Sequence, residues 1–338
     1  MTKSRRSFLA ASAAMGVVGA SDAFAQDATP WIGWLHSTAI EPDLEQSFLE
    51  GLRNKGWEGD PTQPLSGSRK RVIIRRVNGN GKYKYNSVDD LKRGAADLRD
   101  HTSPNLKMLI TAGGIVSGLA AADIRDLPLL VIMGRFNQVV ADNGRVGGIL
   151  FDRPYGSTQN DALIAKLNYL TNPNTYAIRP EKICFIYNGN STMGSAESSE
   201  WLTSINRVGK SLDAKQSTAG PLENNRIVWR RVFDDAVAAL GSGRRAIILS
   251  SDPFFTSKRQ RIIKLAQQYD GLVMCYPLQE YYDDAVEPDT DDKSRAMSFG
   301  PKLKTVYSDL GGMAGQLLTT PDMPLSLRQA GSTYSGLT

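Results

Sequence analysis

The sequence is poor in the residues that build metal centres and disulfide frameworks, because its 338 residues include only two histidines and two cysteines. Two histidines cannot form a multi-histidine metal centre, and two cysteines alone cannot complete a tetrahedral cysteine site. The phosphate-binding patterns G-x-G-x-x-G after a strand and G-x-x-x-x-G-K-S/T are also absent. We therefore expect neither a metal nor a cofactor.

Long apolar runs are missing too. After the first 25 residues, no segment approaches the roughly 20 apolar residues that a transmembrane helix needs. The apolar fraction of 41% and the charged fraction of 22% are those of an ordinary globular protein, which excludes disordered, collagen-like and coiled-coil compositions. At about 100–200 residues per domain, the length predicts two lobes.

Dense positive charge is rare, although basic residues outnumber acidic ones by 40 to 35. Part of this excess lies in the first six residues. The dense basic cluster further on is Arg69–Arg71 with Arg75 and Arg76, and it has no interleaved aromatic residues that would stack on bases. We interpret it as a solvated strand edge and expect no nucleic-acid partner.

The first 25 residues have the three parts of an export signal. Arg5 and Arg6 precede a short run rich in alanine and glycine, and Ala23–Ala25 ends this segment with a small-x-small cleavage pattern. The paired arginines resemble the twin-arginine signal, which carries folded proteins across the inner membrane, and an ordinary secretory signal is the alternative. We expect cleavage after Ala25 and a periplasmic mature protein.

Short apolar runs alternate with helical apolar spacing along the rest of the chain. The strands predicted in the first half are 31–35, 72–77, 107–111 and 128–133. A second series has predicted strands 183–187, 226–229, 246–250 and 272–276, with helices 161–170, 197–208, 234–240 and 258–269. Apolar strands between amphipathic helices indicate parallel sheets covered on both faces. The predicted fold is α/β, with two doubly wound parallel-sheet lobes joined by a hinge.

Several segments, taken in order, match one family. Residues 32–35 read I-G-W-L, and residues 48–57 read F-L-E-G-L-R-N-K-G-W. Residues 249–255 read L-S-S-D-P-F-F, and residues 297–301 read M-S-F-G-P. Together they resemble ABC-transporter substrate-binding proteins of the type I periplasmic fold, in the subfamily that includes tryptophan- and tyrosine-binding members.

The resemblance implies a protein that captures a small solute between two lobes and delivers it to an ABC permease in the inner membrane. The implied solute is an amino acid or a similar zwitterion. Its carboxylate would be held by N–H groups at helix ends, and its amine by an acidic side chain. Such a protein is not an enzyme, and we expect it to be a monomer.

The resemblance also implies three chain crossings between the lobes, which we expect near Phe151–Pro154, near Tyr276–Gln279 and near Thr319. The predicted first lobe comprises residues 26–151 and 277–318, and the second comprises residues 152–276 and 319–338. The closing helix, Leu303–Leu318, is expected to pack on the first lobe.

Candidate ligand-binding residues follow the predicted strands, because ligands of open parallel sheets bind at the carboxyl ends of the strands. In the first lobe they are Ser37, Thr38, Thr111, Gly113, Gly114 and Asn137. Hydroxyl and backbone N–H groups there suit a carboxylate. The alternatives are helix capping for the hydroxyls and tight-turn geometry for the glycines.

In the second lobe the candidates are Asn188, Ser191 and Asp252, and Glu280 lies in the predicted return crossing, where hinge and ligand roles overlap. Asp252 suits an ammonium group, with helix capping as its alternative role. Cys184 and Cys275 fall on the first and fourth predicted strands of this lobe, which a doubly wound order does not place side by side. We therefore predict two buried thiols and no disulfide.

Two other functions remain open from the sequence. A periplasmic sensor would have the same fold and present its bound form to a signalling partner, for which the acidic run Asp283–Asp292 is a candidate surface. This run otherwise reads as a solvated insertion. An exported α/β hydrolase is the other alternative, but His36 lacks an accompanying G-x-S-x-G nucleophile.

Overall fold

The computed structural model describes residues 29–36, 40–77, 93–94, 96–98, 105–112, 126–133, 145–150, 161–172, 180–189, 192–208, 213–218, 229–256, 258–281, 296–330 and 333–335. The predicted export signal and the acidic run lie outside these residues. Within them, no helix is long and apolar enough to cross a membrane.

The described strands are β1 (Trp31–His36), β2 (Trp57–Glu58), β3 (Lys70–Arg71), β4 (Ile73–Val77), β5 (Leu106–Ala112), β6 (Leu129–Met133), β7 (Val146–Leu150), β8 (Lys182–Tyr187), β9 (Asp213–Thr218), β10 (Arg245–Leu249), β11 (Leu272–Tyr276), β12 (Ala296–Gly300), β13 (Leu327–Gln329) and β14 (Thr333–Ser335). The main helices are α1 (Pro42–Arg53), α2 (Asp161–Thr171), α3 (Thr192–Val208), α4 (Trp229–Leu240), α5 (Pro253–Thr256), α6 (Arg259–Ala266) and α7 (Leu303–Thr319).

Two sheets of the same design organise the molecule. The first has the order β13-β7-β6-β5-β1-β4, and the second has the order β14-β12-β11-β10-β8-β9. If β13 and β14 are set aside, each sheet reads second, first, third, fourth, fifth strand, which is a doubly wound order. All the described pairings in these two sheets are parallel except that of β12 with β14. The predicted fold class is therefore confirmed.

Helices α1 and α7 pack closely in the first lobe because glycines lie at their contact. A Cβ atom on Gly51 would lie 2.0 Å from the Ser308 carbonyl oxygen, and one on Gly311 would lie 2.1 Å from the Phe48 carbonyl oxygen. Both distances are shorter than any van der Waals contact. Hydrogen in place of Cβ thus allows the two helix backbones to touch.

The second lobe departs from the predicted pattern at one strand. Trp229 begins helix α4, which buries Trp229, Val232, Phe233, Ala236 and Leu240 on one face. The predicted strand 226–229 is therefore wrong at Trp229. The edge strand that pairs with β8 is β9, whose sequence D-A-K-Q-S-T contains one apolar residue. As an edge strand it needs no apolar run, so hydrophobic periodicity could not reveal it.

The structure also differs from the predicted lobe boundaries. Strand β12 pairs with β11 and β14 in the second sheet, whereas β13 pairs with β7 in the first. The described chain therefore passes from one lobe to the other between Leu150 and α2, which packs on α3 and β12, then between Gly300 and α7, which packs on α1, and finally between Gln329 and Thr333. The second change lies later than Tyr276–Gln279 and the third lies later than Thr319, because β12 completes the five-strand module of the second lobe.

Both cysteines are buried and outside any disulfide, as predicted. Cys184 lies on β8 and Cys275 on β11, and β10 runs between these strands. Their residues also belong to apolar clusters on different faces of the sheet. Burial raises the pKa of each thiol to about 12, so neither is a thiolate at neutral pH.

Candidate functional site

The carboxyl ends of the strands carry the described candidate residues. Thr111 is the next-to-last residue of β5 and is fully buried, and it is in register with Leu35 of β1 and Val131 of β6. It therefore lies in the interior of the first sheet at its carboxyl edge. Six other predicted site residues lie outside the described residues: Ser37, Thr38, Gly113, Gly114, Asn137 and Ser191.

Asn188 and Asp252 lie at the same edge of the second sheet. Asn188 follows β8, and Asp252 follows the neighbouring strand β10. The backbone N–H of Ser250 donates to the Ile186 carbonyl oxygen at 2.9 Å, so the two strands end side by side. Asp252 is 5% exposed. Its carbonyl oxygen accepts the Phe255 N–H at 3.0 Å and so begins the short helix α5.

A buried carboxylate that sequence reasoning missed lies beneath this turn. Glu197, on α3, is 3% exposed and accepts hydrogen bonds from the hydroxyls of Ser250 and Ser251. The Ser251 N–H also points to it, at 3.2 Å from Oε2 and 3.4 Å from Oε1. The Asp252 N–H in turn donates to Ser250 Oγ at 3.1 Å. The spacing along α3 gave no sign of this contact, because its partners are more than 50 residues away.

Glu280 is placed at the start of helix α7. Its Oε1 accepts the Lys304 N–H at 3.3 Å, which supplies a cap that Lys302, at the N-cap position, does not provide. Within the described part of the chain, its Oε2 is buried without a hydrogen-bond partner. Burial is the main cause that raises the pKa of Glu280, partly opposed by backbone N–H groups. The carboxyl group thus joins the β11–β12 connection to α7 of the first lobe.

One ion pair crosses between the lobes near this point. Arg259, at the start of α6 in the second lobe, places Nη1 at 2.5 Å from Oε1 and 2.7 Å from Oε2 of Glu41, which precedes α1 in the first lobe. Both side chains are partly exposed. Neither residue was among the predicted site residues, because the pair forms only through the arrangement of the lobes.

The large aromatic residues near the strand ends are packed in the interior. Trp34 lies against Phe48, with ring centroids 4.5 Å apart, and stacks on Tyr307 at 6.1 Å. Tyr281 stacks on Tyr276 at 5.2 Å and is fully buried. Burial raises the pKa of the Tyr281 hydroxyl well above its ordinary value. These rings pack against one another in the interior, which is the more common role of large aromatic residues at strand ends.

A cavity of about 360 Å³ lies beside the hinge. Its lining comes from the segments that change sheets and from helix α7, and it includes Ile149, Gln279, Pro301, Lys302, Asp309 and Arg328. Since these residues come from both lobes, the cavity lies at the junction of the lobes. Among the residues that the structure describes, no group of three or more side chains is arranged to hold a metal ion.

No family model and no curated protein sequence matches this chain. Solved structures do. A conserved domain protein from Vibrio cholerae has a TM-score of 0.62 at 13% identity, over 91% of this chain and 92% of its own. An ABC domain from Streptococcus pneumoniae in complex with L-Trp has a TM-score of 0.57 at 12% identity, over 90% and 91%.

A solute-binding protein of an ABC transporter from Rhodopseudomonas palustris, in complex with 3,4-dihydroxybenzoic acid, has a TM-score of 0.53 at 10% identity, over 87% of this chain and 80% of its own. Identities this low show a shared fold. The paired sheets, the repeated strand order and these similarities together show that the chain has the two-lobed fold of type I periplasmic binding proteins.

Proposed function

We propose that this protein captures a small solute, an amino acid or a similar zwitterion, in a cleft between its lobes and delivers it to an ABC importer in the inner membrane. One combined observation supports the proposal: the two α/β lobes share one strand order, and a buried acid, Asp252, lies at a strand end of the second lobe. Structural neighbours that hold L-Trp and 3,4-dihydroxybenzoic acid support a solute-binding role.

The proposed ligand contacts divide between the lobes. In the first lobe, the hydroxyl and N–H groups after β1, β5 and β6 would hold the carboxylate of the solute: Ser37, Thr38, Thr111, Gly113, Gly114 and Asn137. In the second lobe, Asp252 would hold the amine, with Asn188, Ser191 and Glu280 at the same wall. A charged solute bridges the lobes because each wall satisfies one of its charges.

Closure would be assisted by the ion pair between Glu41 and Arg259. This contact forms only when the two lobes are close together, so it stabilises the closed arrangement and not an open one. The proposed site needs no cofactor, and its described residues include no activated nucleophile, so we propose binding and no catalysis. The proposal includes a periplasmic location and a monomer that contacts the permease.

The test is a thermal-shift screen of the mature chain against amino acids, short peptides, polyamines and aromatic acids. A solute at about 100 times its Kd adds about 2.7 kcal/mol to the free energy of unfolding, which raises Tm by several degrees. Asp252→Asn should abolish the rise for an amine-bearing hit. Asp235→Asn, an exposed acid on α4, is the matched control and should preserve it. Silence across the panel would contradict solute capture.

A further inference from the structure

Glu197 is a buried carboxylate whose hydrogen-bond partners, among the residues that the structure describes, are all neutral. Its two oxygens accept from the hydroxyls of Ser250 and Ser251 and from the Ser251 N–H. It takes part in no ion pair within the described residues, although a buried charge is usually paired. Such an arrangement places a carboxylate directly behind the strand end that carries Asp252.

The carboxylate also determines the direction of the hydrogen bonds at this strand end. A carboxylate only accepts, so each serine must spend its single hydroxyl proton on Glu197. Toward any other group, both serine oxygens therefore act as acceptors. Ser250 Oγ shows this directly, because it accepts the Asp252 N–H at 3.1 Å. This wall of the second lobe therefore combines the two serine oxygens with the Asp252 carboxylate, and all of these groups are acceptors.

We propose that Glu197 determines the specificity of the second-lobe wall by making it a set of acceptors that binds an ammonium group and rejects a carboxylate. This inference rests on the proposed solute capture, and it assigns the preference for an amine to one residue, Glu197. Of the two ligand types seen in the structural neighbours, it selects amine-bearing molecules such as L-Trp over acids without an amine such as 3,4-dihydroxybenzoic acid.

A purely structural role for Glu197 would be to tie α3 to the end of β10. The variant Glu197→Gln separates the two roles because it keeps the size of the side chain. A glutamine amide accepts at its oxygen and donates at its nitrogen, so the serine facing the nitrogen must accept and turn its own proton outward. The tie is kept, the charge is lost, and the wall gains one donor.

The experiment is isothermal titration of matched solutes, L-tryptophan against indole-3-propionate and L-leucine against 4-methylpentanoate, each pair differing by the amine. The intact protein should prefer the amine-bearing member by about 10- to 100-fold, the range of a hydrogen bond to a charged group. Glu197→Gln should reduce this preference by about tenfold, and Ser251→Ala should weaken binding of the amine-bearing member more than that of the acid. Glu200→Gln, on the same helix outside the cluster, should leave the preference unchanged.

The outcomes separate the two proposals. A Glu197→Gln protein that loses affinity for both members of a pair equally, or an intact protein that prefers the acids, would overturn the role of Glu197 while solute capture stands. Binding of none of the four solutes, together with silence in the thermal screen, would overturn solute capture itself and this inference with it.

Discussion

The two lobes share one strand order but differ in the chemistry at their carboxyl edges. In the described part of the first lobe, β5 ends in Thr111 and Ala112, without a charged side chain. The corresponding edge of the second lobe carries the buried acids Glu197, Asp252 and Glu280. The strand order therefore creates two equivalent edges, and a few residues near the strand ends give these edges different chemistry.

The lobes also differ in how their helices are held. In the first lobe, α1 and α7 meet through backbone contacts at glycines. In the second lobe, a polar cluster built on one carboxylate ties α3 to β10. The first contact depends on shape and the second on charge and hydrogen bonding, so substitutions should distinguish them.

The largest expected effect is on the glycine contact of the first lobe. Gly311→Ala would place a methyl group 2.1 Å from the Phe48 carbonyl oxygen and 3.1 Å from the Leu52 nitrogen. Because backbone atoms cannot yield as a side chain can, we expect a loss of about 3 kcal/mol or more in the free energy of unfolding. Urea denaturation measures it.

The control lies one residue further along the same helix. A Cβ atom on Gly312 would have Lys55 Cε, at 3.8 Å, as its nearest neighbour. Gly312→Ala should therefore leave stability unchanged or raise it by up to about 1 kcal/mol, since alanine favours the helix. Equal losses in the two variants would show that the helices do not meet at Gly311.

The next effect tests the polar cluster of the second lobe. Glu197→Ala leaves the Ser250 and Ser251 hydroxyls and the Ser251 N–H without their acceptor. Buried donors without partners cost about 1–3 kcal/mol each, partly recovered by rearrangement, so a net loss of about 2–4 kcal/mol is expected by urea denaturation. Glu197→Gln should recover most of it. If both variants were as stable as the intact protein, the cluster would not hold α3 to β10.

A smaller effect concerns the contact between the lobes. Glu41→Gln removes the charge that faces Arg259 and should weaken solute binding about two- to fivefold, with the free energy of unfolding nearly unchanged, because partly exposed ion pairs contribute about 0.2–1 kcal/mol. Glu181→Gln removes a comparable exposed pair with Arg244 within the second lobe and should not alter affinity. Titration at low and high salt measures both. Equal affinities of the intact protein and Glu41→Gln would mean that the pair does not assist closure.

The smallest effect is a pH dependence at Glu280. Burial raises the pKa of this carboxyl group in the folded state, so its contribution to stability is present below the ordinary glutamate pKa and is lost as the pH rises through the folded value. Glu280→Gln lacks this loss, and its stability relative to the intact protein should increase from acid to neutral pH. A difference that stays constant with pH would contradict the raised pKa.

The sequence alone was enough for the fold class and most elements. Strand β11 runs over Leu272–Tyr276 as predicted. A central strand that is buried on both faces needs a continuous apolar run, and such a run is visible in the sequence. The edge strand β9 was missed because exposure removes this requirement. The buried, unpaired thiols followed from strand order alone.

Only the tertiary structure decided which strands complete each sheet and which side chains meet at the strand ends. Strand β12 joins the second lobe although the chain reaches it after the predicted crossing. Glu197 meets Ser250 and Ser251, and Glu41 meets Arg259, across separations of more than 50 residues. The apolar periodicity of a helix or strand arises because one of its faces is buried and the other is solvated, so it can be read from a short stretch of sequence. The contacts above depend instead on how whole elements and lobes pack together.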